Sequence, residues 1–267
     1  MRITMKKSLA AVRVLTAASL VTVLAACGGG ESASGGTLRV GTLSDSKPNA
    51  YQENGVFTGF DNELLKAIAT SQNLKLEFVS TEFSTLLSQV ANGKFDIGSS
   101  GISQTDERRK TVDFSAPYNY QSLGIEARDG AGITDEKSLA GKRIGVVQGT
   151  VSDSWLAANA PAAQAVRFPQ DAAALAALKA GAIDGAIFDQ ATAEDYAAKN
   201  PDAKLKVVKA ITTTIPHGFA VKKGNTELIG KLNAGLKQVI ADGTWEKVHQ
   251  RFEPNAPVPA EFKAGQQ

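Results

Sequence analysis

The sequence predicts an α/β protein of two lobes, and three observations predict it. Strand-like and helix-like stretches alternate from Thr37 onward, the same alternation restarts near Arg143, and two further strand-like runs separate and follow the two series. In the first series, Leu38 to Thr42 is a short strand that runs into a loop of Ser, Asp, Lys, Pro and Asn. Asp61 to Ser71 is helical, because Leu64, Leu65, Ile68 and Ala69 recur on one face. Leu74 to Val79 alternates as a strand. Ser84 to Ala91 is a second helix with Leu86, Leu87 and Val90 inward, stopped by Asn92-Gly93, and Phe95 to Gly98 returns as strand.

The second series repeats the layout. Arg143 to Val147 is a strand, Gly149-Thr150 turns into a helix at about Ser152, and Ala165 to Phe168 is a strand. Asp171 to Ala180 is an Ala/Leu helix closed by Gly181, and Gly185 to Phe188 is a buried strand. Gln121 to Ala127 and Ile215 to Val221 are the expected crossings between lobes. Glu227 to Phe252 is then a helical block that packs back on the first lobe. A tail with Pro254, Pro257 and Pro259 is expected to be irregular.

Charge separates the N-terminus from the rest. The chain carries 29 Lys and Arg against 27 Asp and Glu, a net charge of +2. Arg2, Lys6, Lys7 and Arg13 all fall in residues 1–26, which hold no acid. The body is therefore slightly acidic and has no basic stripe for a nucleic acid. The cationic stretch is followed by uncharged residues from Val14 to Ala26. That is shorter than the roughly 20 apolar residues a membrane-spanning helix needs, and it fits a signal peptide. It ends in Leu24-Ala25-Ala26-Cys27-Gly28, and Cys27 is the only cysteine, so no internal disulfide can form. The segment resembles a bacterial lipobox, whose cysteine is lipidated and becomes the mature N-terminus; the alternative is an ordinary cleaved signal with a chance cysteine. Several acyl chains on one residue give stable anchoring, and the Gly/Ser run that follows is a flexible tether.

Few residues offer chemistry. Two histidines, His217 and His249, and one cysteine make no metal cluster of familiar spacing, and there is no Gly-x-Ser-x-Gly elbow. Gly145 to Thr150 lacks the lysine of a phosphate loop, yet a Gly-Thr turn opening a helix presents backbone N–H groups to an anion. Gly98 to Arg109 is polar, glycine-rich and directly follows a strand, where α/β sheets bind ligands; Thr105 can equally cap a short helix there. Asp189 follows a buried strand and is either a helix cap or a ligand carboxylate. Phe83 starts a helix, with core packing as its default role.

Together these stretches resemble the bacterial extracellular solute-binding proteins of family 3, the amino-acid receptors of ABC importers. The resemblance runs from about Thr37 to Phe252. It is carried by Gly59 to Ala69, Gly101 to Arg108 continuing through Val112 to Tyr118, Leu139 to Thr150, and Asp184 to Asp189. Asn62 departs from the usual aliphatic residue, with no consequence expected. The resemblance implies a type II periplasmic-binding-protein-like fold with two hinge crossings and a central ligand cleft. By position, Arg108 matches the arginine that forks onto a ligand α-carboxylate, and Ser103 a hydroxyl residue beside it. Gly101 matches a carbonyl facing the ammonium, Thr150 and Val151 a helix start facing the carboxylate, Asp189 the carboxylate that holds the ammonium, and Phe83 an aromatic wall.

The loop Leu43 to Tyr51 departs from the family pattern. Leu43 stands where relatives often carry an acid, Ser46 where they carry an aromatic, and Asp45 is a substitute acid. The implied ligand is a polar amino acid, glutamine- or glutamate-like, with Leu43 counting against arginine or lysine. The expected organisation is a signal peptide over 1–26, a lipidated Cys27 and tether over 27–36, a first lobe of 37–123 plus 219–253, a second lobe of 124–218, and a tail over 254–267. The expected protein is an exported, monomeric, non-enzymatic receptor without cofactor. It is anchored on the outer face of the cytoplasmic membrane and serves a permease. An exported dehydratase of prephenate-like acids and a ligand-sensing lipoprotein are the alternatives.

Overall fold

The computed structural model describes residues 36–254 and 256–265; the expected signal peptide and Cys27 lie outside them. The first lobe opens with β1 (Thr37–Thr42), then β2 (Asp45–Ser46), β3 (Ala50–Glu53) and β4 (Val56–Thr58), α1 (Phe60–Ser71), β5 (Lys75–Ser80), α2 (Phe83–Ala91), β6 (Ile97–Ser99), α3 (Asp106–Arg109) and β7 (Val112–Phe114). The second lobe is built from β8 (Asn119–Arg128), β9 (Arg143–Val147), α4 (Val151–Asn159), β10 (Gln164–Phe168), α5 (Asp171–Ala180), β11 (Gly185–Asp189), α6 (Gln190–Lys199) and β12 (Leu205–His217). The chain then returns to the first lobe through β13 (Ala220–Lys222), α7 (Thr226–Ala241) and α8 (Thr244–Phe252).

Each lobe holds a five-stranded sheet, ordered β5-β1-β6-β13-β7 in the first and β10-β9-β11-β8-β12 in the second. The strands of each alternating series pair in parallel, β1 with β5 and β6, and β9 with β10 and β11. The returning strands pair antiparallel, β13 on β6 and β7, and β8 on β11 and β12. The chain passes from the first sheet to the second between Phe114 and Asn119, and back between His217 and Ala220. At that junction His217 pairs with Asn119 and Pro216 with Tyr120.

Local sequence explains the best-defined elements. In α1 the spacing of Leu64, Leu65 and Ile68 buries all three completely against α7 and α8. In α2, Leu86 and Val90 are buried as expected, whereas Leu87 stays half-exposed. Gly181 closes α5 in the left-handed conformation at φ 76°, where a side chain is strained. The expected block from Glu227 to Phe252 is two helices, because Gly243 at φ 75° turns the chain after α7. Its core residue is Trp245, fully buried, and the proline-rich tail is tied down by Phe262, which is 3% exposed and stacks on Trp245 at 4.9 Å.

Two features differ from the sequence expectation. The loop after β1 is a three-stranded meander, β2-β3-β4, whose strands of two to four residues are too short to show a period. Asn62 is an organising residue. Fully buried, its Oδ1 accepts from Thr42 Oγ1 at 3.0 Å and Ser99 Oγ at 3.1 Å, and its Nδ2 donates to the Thr58 carbonyl at 3.1 Å. It therefore joins the ends of β1, β4 and β6, which an aliphatic residue could not do. Among the described residues no helix is long and apolar enough to cross a membrane.

Candidate binding site

The carboxyl ends of the parallel strands in both lobes face one another across a cavity. From the first lobe it is lined by Leu43, Ser46, Phe83, Ser100, Gly101, Ser103 and Arg108. From the second it is lined by Val147, Thr150, Val151, Ser152, Asp171, Ile187, Phe188 and Asp189. Loops at strand ends are where such sheets leave backbone and side chains free to meet a ligand.

Arg108 is set by its local sequence. Thr105 caps α3, its Oγ1 accepting from the Arg108 backbone N–H at 3.3 Å. The side chain then lies over Phe83, with Cζ 5.0 Å from the ring centroid. Nη1 donates to the Ser103 carbonyl at 2.9 Å, and Nη2 crosses to the second lobe to donate to the Gly149 carbonyl at 3.1 Å. Burial lowers the guanidinium to about 10, with Asp189 acting in the opposite sense, so the group is cationic at neutral pH. The capping and ligand-facing expectations for this loop are thus compatible, since the cap is Thr105 and the cavity residue is Arg108.

Asp189 ends β11 and occupies the N-cap position of α6, yet its side chain makes no capping hydrogen bond. Its Oδ2 instead accepts from Asn49 Nδ2 of the first lobe at 3.2 Å. Gly101, at φ 54°, holds the facing loop. A Cβ there would sit 3.5 Å from Asp189 Oδ2 and from His217 Cε1. Ser103 is 1% exposed and bridges to His217 at the junction of the lobes. Thr150 caps α4 by accepting from the Asp153 N–H at 3.3 Å, and Val151 is the first helical residue. The helix therefore opens toward the cavity, where its end carries partial positive charge.

Seven of the eight expected binding residues meet in this cavity: Arg108, Asp189, Ser103, Gly101, Phe83, Thr150 and Val151. Asp45 does not line it. Its Oδ2 accepts from the Ala172 backbone N–H at 2.9 Å, and its carbonyl from Tyr196 Oη at 3.1 Å, so it ties β2 to α5 and α6 across the lobes. Sequence reasoning missed Asp171, which passed for an ordinary helix start, and Asn49, which sat in a loop without a pattern. It also missed Asp61 beneath the cavity. Asp61 accepts from Tyr118 Oη at 2.5 Å and is raised to about 8, chiefly by burial. No signal in one sequence separates such buried acids from surface ones.

Two α/β lobes joined by a double crossing around a charged cavity are the architecture of solved amino-acid-binding proteins. Residues 38–255 match the bacterial extracellular solute-binding proteins, family 3, and the chain belongs to that family. A probable histidine-binding protein of Campylobacter jejuni is 32% identical over 81% of this chain and 85% of its own length. An ancestral arginine-binding protein solved with arginine superposes with a TM-score of 0.79 at 36% identity, over 82% of this chain and 98% of that one, and one bound to glutamine gives the same figures. An ancestral amino acid-binding protein described as a precursor of cyclohexadienyl dehydratase superposes at 0.75 and 36% identity, over 81% of this chain and 95% of that one.

Proposed function

We propose that this protein is the substrate-binding component of an ABC importer and captures a free L-amino acid between its lobes. The observation that supports it most is the opposition of Arg108, from the first lobe, to Asp189, from the second, across one cavity. A zwitterion needs one fixed cation and one fixed anion. The planar guanidinium suits the α-carboxylate, with the start of α4 beside it, and Asp189 suits the α-ammonium. Because the two charges belong to different lobes, a ligand that pairs with both favours closure through contacts the open form lacks.

In this proposal residues 1–26 direct export, Cys27 carries the lipid anchor, and a permease receives the ligand. The ligands of the relatives, histidine and arginine, favour a basic side chain over the glutamine- or glutamate-like one expected from the sequence. Glutamine remains the natural comparison ligand. A dehydratase reading draws only on kinship with a dehydratase precursor, itself described as an amino acid-binding protein.

A calorimetric or thermal-shift screen of the twenty L-amino acids, on protein unfolded and refolded to strip carried-over ligand, tests this reading. It should give a response to at least one amino acid, and silence across all of them would sink the proposal. Asp189→Asn, which keeps the shape and removes the charge, should weaken that binding by about 2–5 kcal/mol. Unchanged affinity would move the ammonium site elsewhere.

A further inference from the structure

Resting on that reading, we infer that Asp171 is the specificity-determining residue of the cavity, and that it selects an amino acid whose side chain ends in a cation. The charge balance of the cavity points to it. Its lining carries one cation, Arg108, and two carboxylates, Asp189 and Asp171; every other lining residue is uncharged. The α-carboxylate and α-ammonium of a ligand satisfy Arg108 and Asp189. Asp171 is then a second anion, only 8% exposed, that meets the neutral Ser46 side chain of the facing lobe. Ser46 and the first turn of α5 compensate that buried charge in part, and a cationic group arriving beside it completes the site.

Topology sets the distance. Asp171 begins α5 just beyond β10, and Asp189 ends β11. The sheet order β10-β9-β11 puts one strand between them, and that strand leads into Thr150. Two inter-strand spacings make roughly 10 Å between the two acidic positions. That is the reach of a long side chain lying across the mouth of β9, with its α-ammonium at one acid and its terminal cation at the other. A short side chain leaves Asp171 unmet.

The surroundings give the inference a pH signature. Burial raises the Asp171 carboxyl to about 7, and the neighbouring acids Asp45 and Asp189 push in the same direction while Ser46 opposes them. The Tyr196 phenol, on α6, feels the same charge. Below that value the free protein holds a proton on Asp171, which a cationic ligand must displace. Affinity for such a ligand therefore rises with pH up to about 7 and then levels off, with proton release on binding at the acid end.

The experiment is titration calorimetry on stripped protein with L-arginine, L-citrulline, which has the same shape but an uncharged end, and L-glutamine. Wild type should bind arginine more tightly than citrulline by about 30-fold or more. Its arginine affinity should fall by up to about tenfold per pH unit below 7. Asp171→Asn should bring arginine and citrulline to near parity and flatten the pH profile, with thermal unfolding near the wild-type midpoint certifying the fold. Asp171→Glu should restore part of the preference. Citrulline or glutamine binding wild type as tightly as arginine, or a flat wild-type pH profile, overturns the inference without any variant. So does an unchanged ratio in Asp171→Asn. If wild type binds none of the amino acids, the proposed function falls and this inference with it.

Discussion

Replacing Arg108 by alanine is expected to weaken amino-acid binding by about 2–5 kcal/mol, the range for truncating one partner of a desolvated charge pair. Three contacts vanish together. The Ser103 and Gly149 carbonyls lose their donors and Phe83 loses the guanidinium above its ring; in the proposed site the ligand carboxylate then keeps the start of α4. Arg108→Lys separates charge from geometry. An ammonium keeps the attraction but cannot fork onto two oxygens or stack flat on an aromatic ring, so an intermediate affinity is expected. Titration calorimetry with the best ligand of the screen measures both. The loss of stability should be modest, since Arg108 sits on a four-residue helix at the cavity edge and meets the core at the face of Phe83. Thermal unfolding of the variant near the wild-type midpoint checks that. Wild-type affinity in Arg108→Ala would relocate the carboxylate site.

Trp245→Ala is expected to cost about 3–5 kcal/mol of stability, as for a fully buried aromatic truncated to a methyl. The indole meets Phe60 edge-on at 5.7 Å and stacks on His249 and Phe262, each at 4.9 Å. Its Nε1 donates to the Tyr118 carbonyl at 3.0 Å. Truncation therefore opens a cavity, leaves a buried carbonyl without its donor, and frees the tail that Phe262 holds. Urea unfolding followed by far-UV circular dichroism should show the loss, with Trp245→Phe losing less because the ring stacking survives. A variant as stable as wild type would mean that the first lobe repacks around the gap.

What the sequence made legible and what it hid follow physical lines. The helix α5 was readable because its apolar period ends in a glycine that can adopt the left-handed conformation. The strand β9 was readable as an unbroken apolar run between charged and turn residues. Arg108, Asp189 and Gly101 were found because they sit in a recognisable order along the chain, although their meeting across two lobes is a property of the fold. Asp171 and Asn62 were misjudged for one shared reason. The burial of a polar side chain depends on what the other lobe or a distant strand brings to it, and neither residue carries a local mark of that. Asp45 was chosen as a substitute acid because it lies two residues after Leu43. Strand alternation alone turns consecutive side chains to opposite sides, so Ser46 lines the cavity and Asp45 points to α5.

The split course of the first lobe has a consequence for biogenesis. The second sheet is built entirely from residues 119–217, so it can close once that stretch is free to fold. The first sheet needs β13, and the apolar face of α1 is covered by α7, α8 and Phe262 near the C-terminus. A chain emerging N-terminus first therefore keeps Leu64, Leu65 and Ile68 only partly covered until α7, α8 and Phe262 arrive. The half of the protein made first is finished last. During that interval its exposed face is what holding chaperones and proteases would meet.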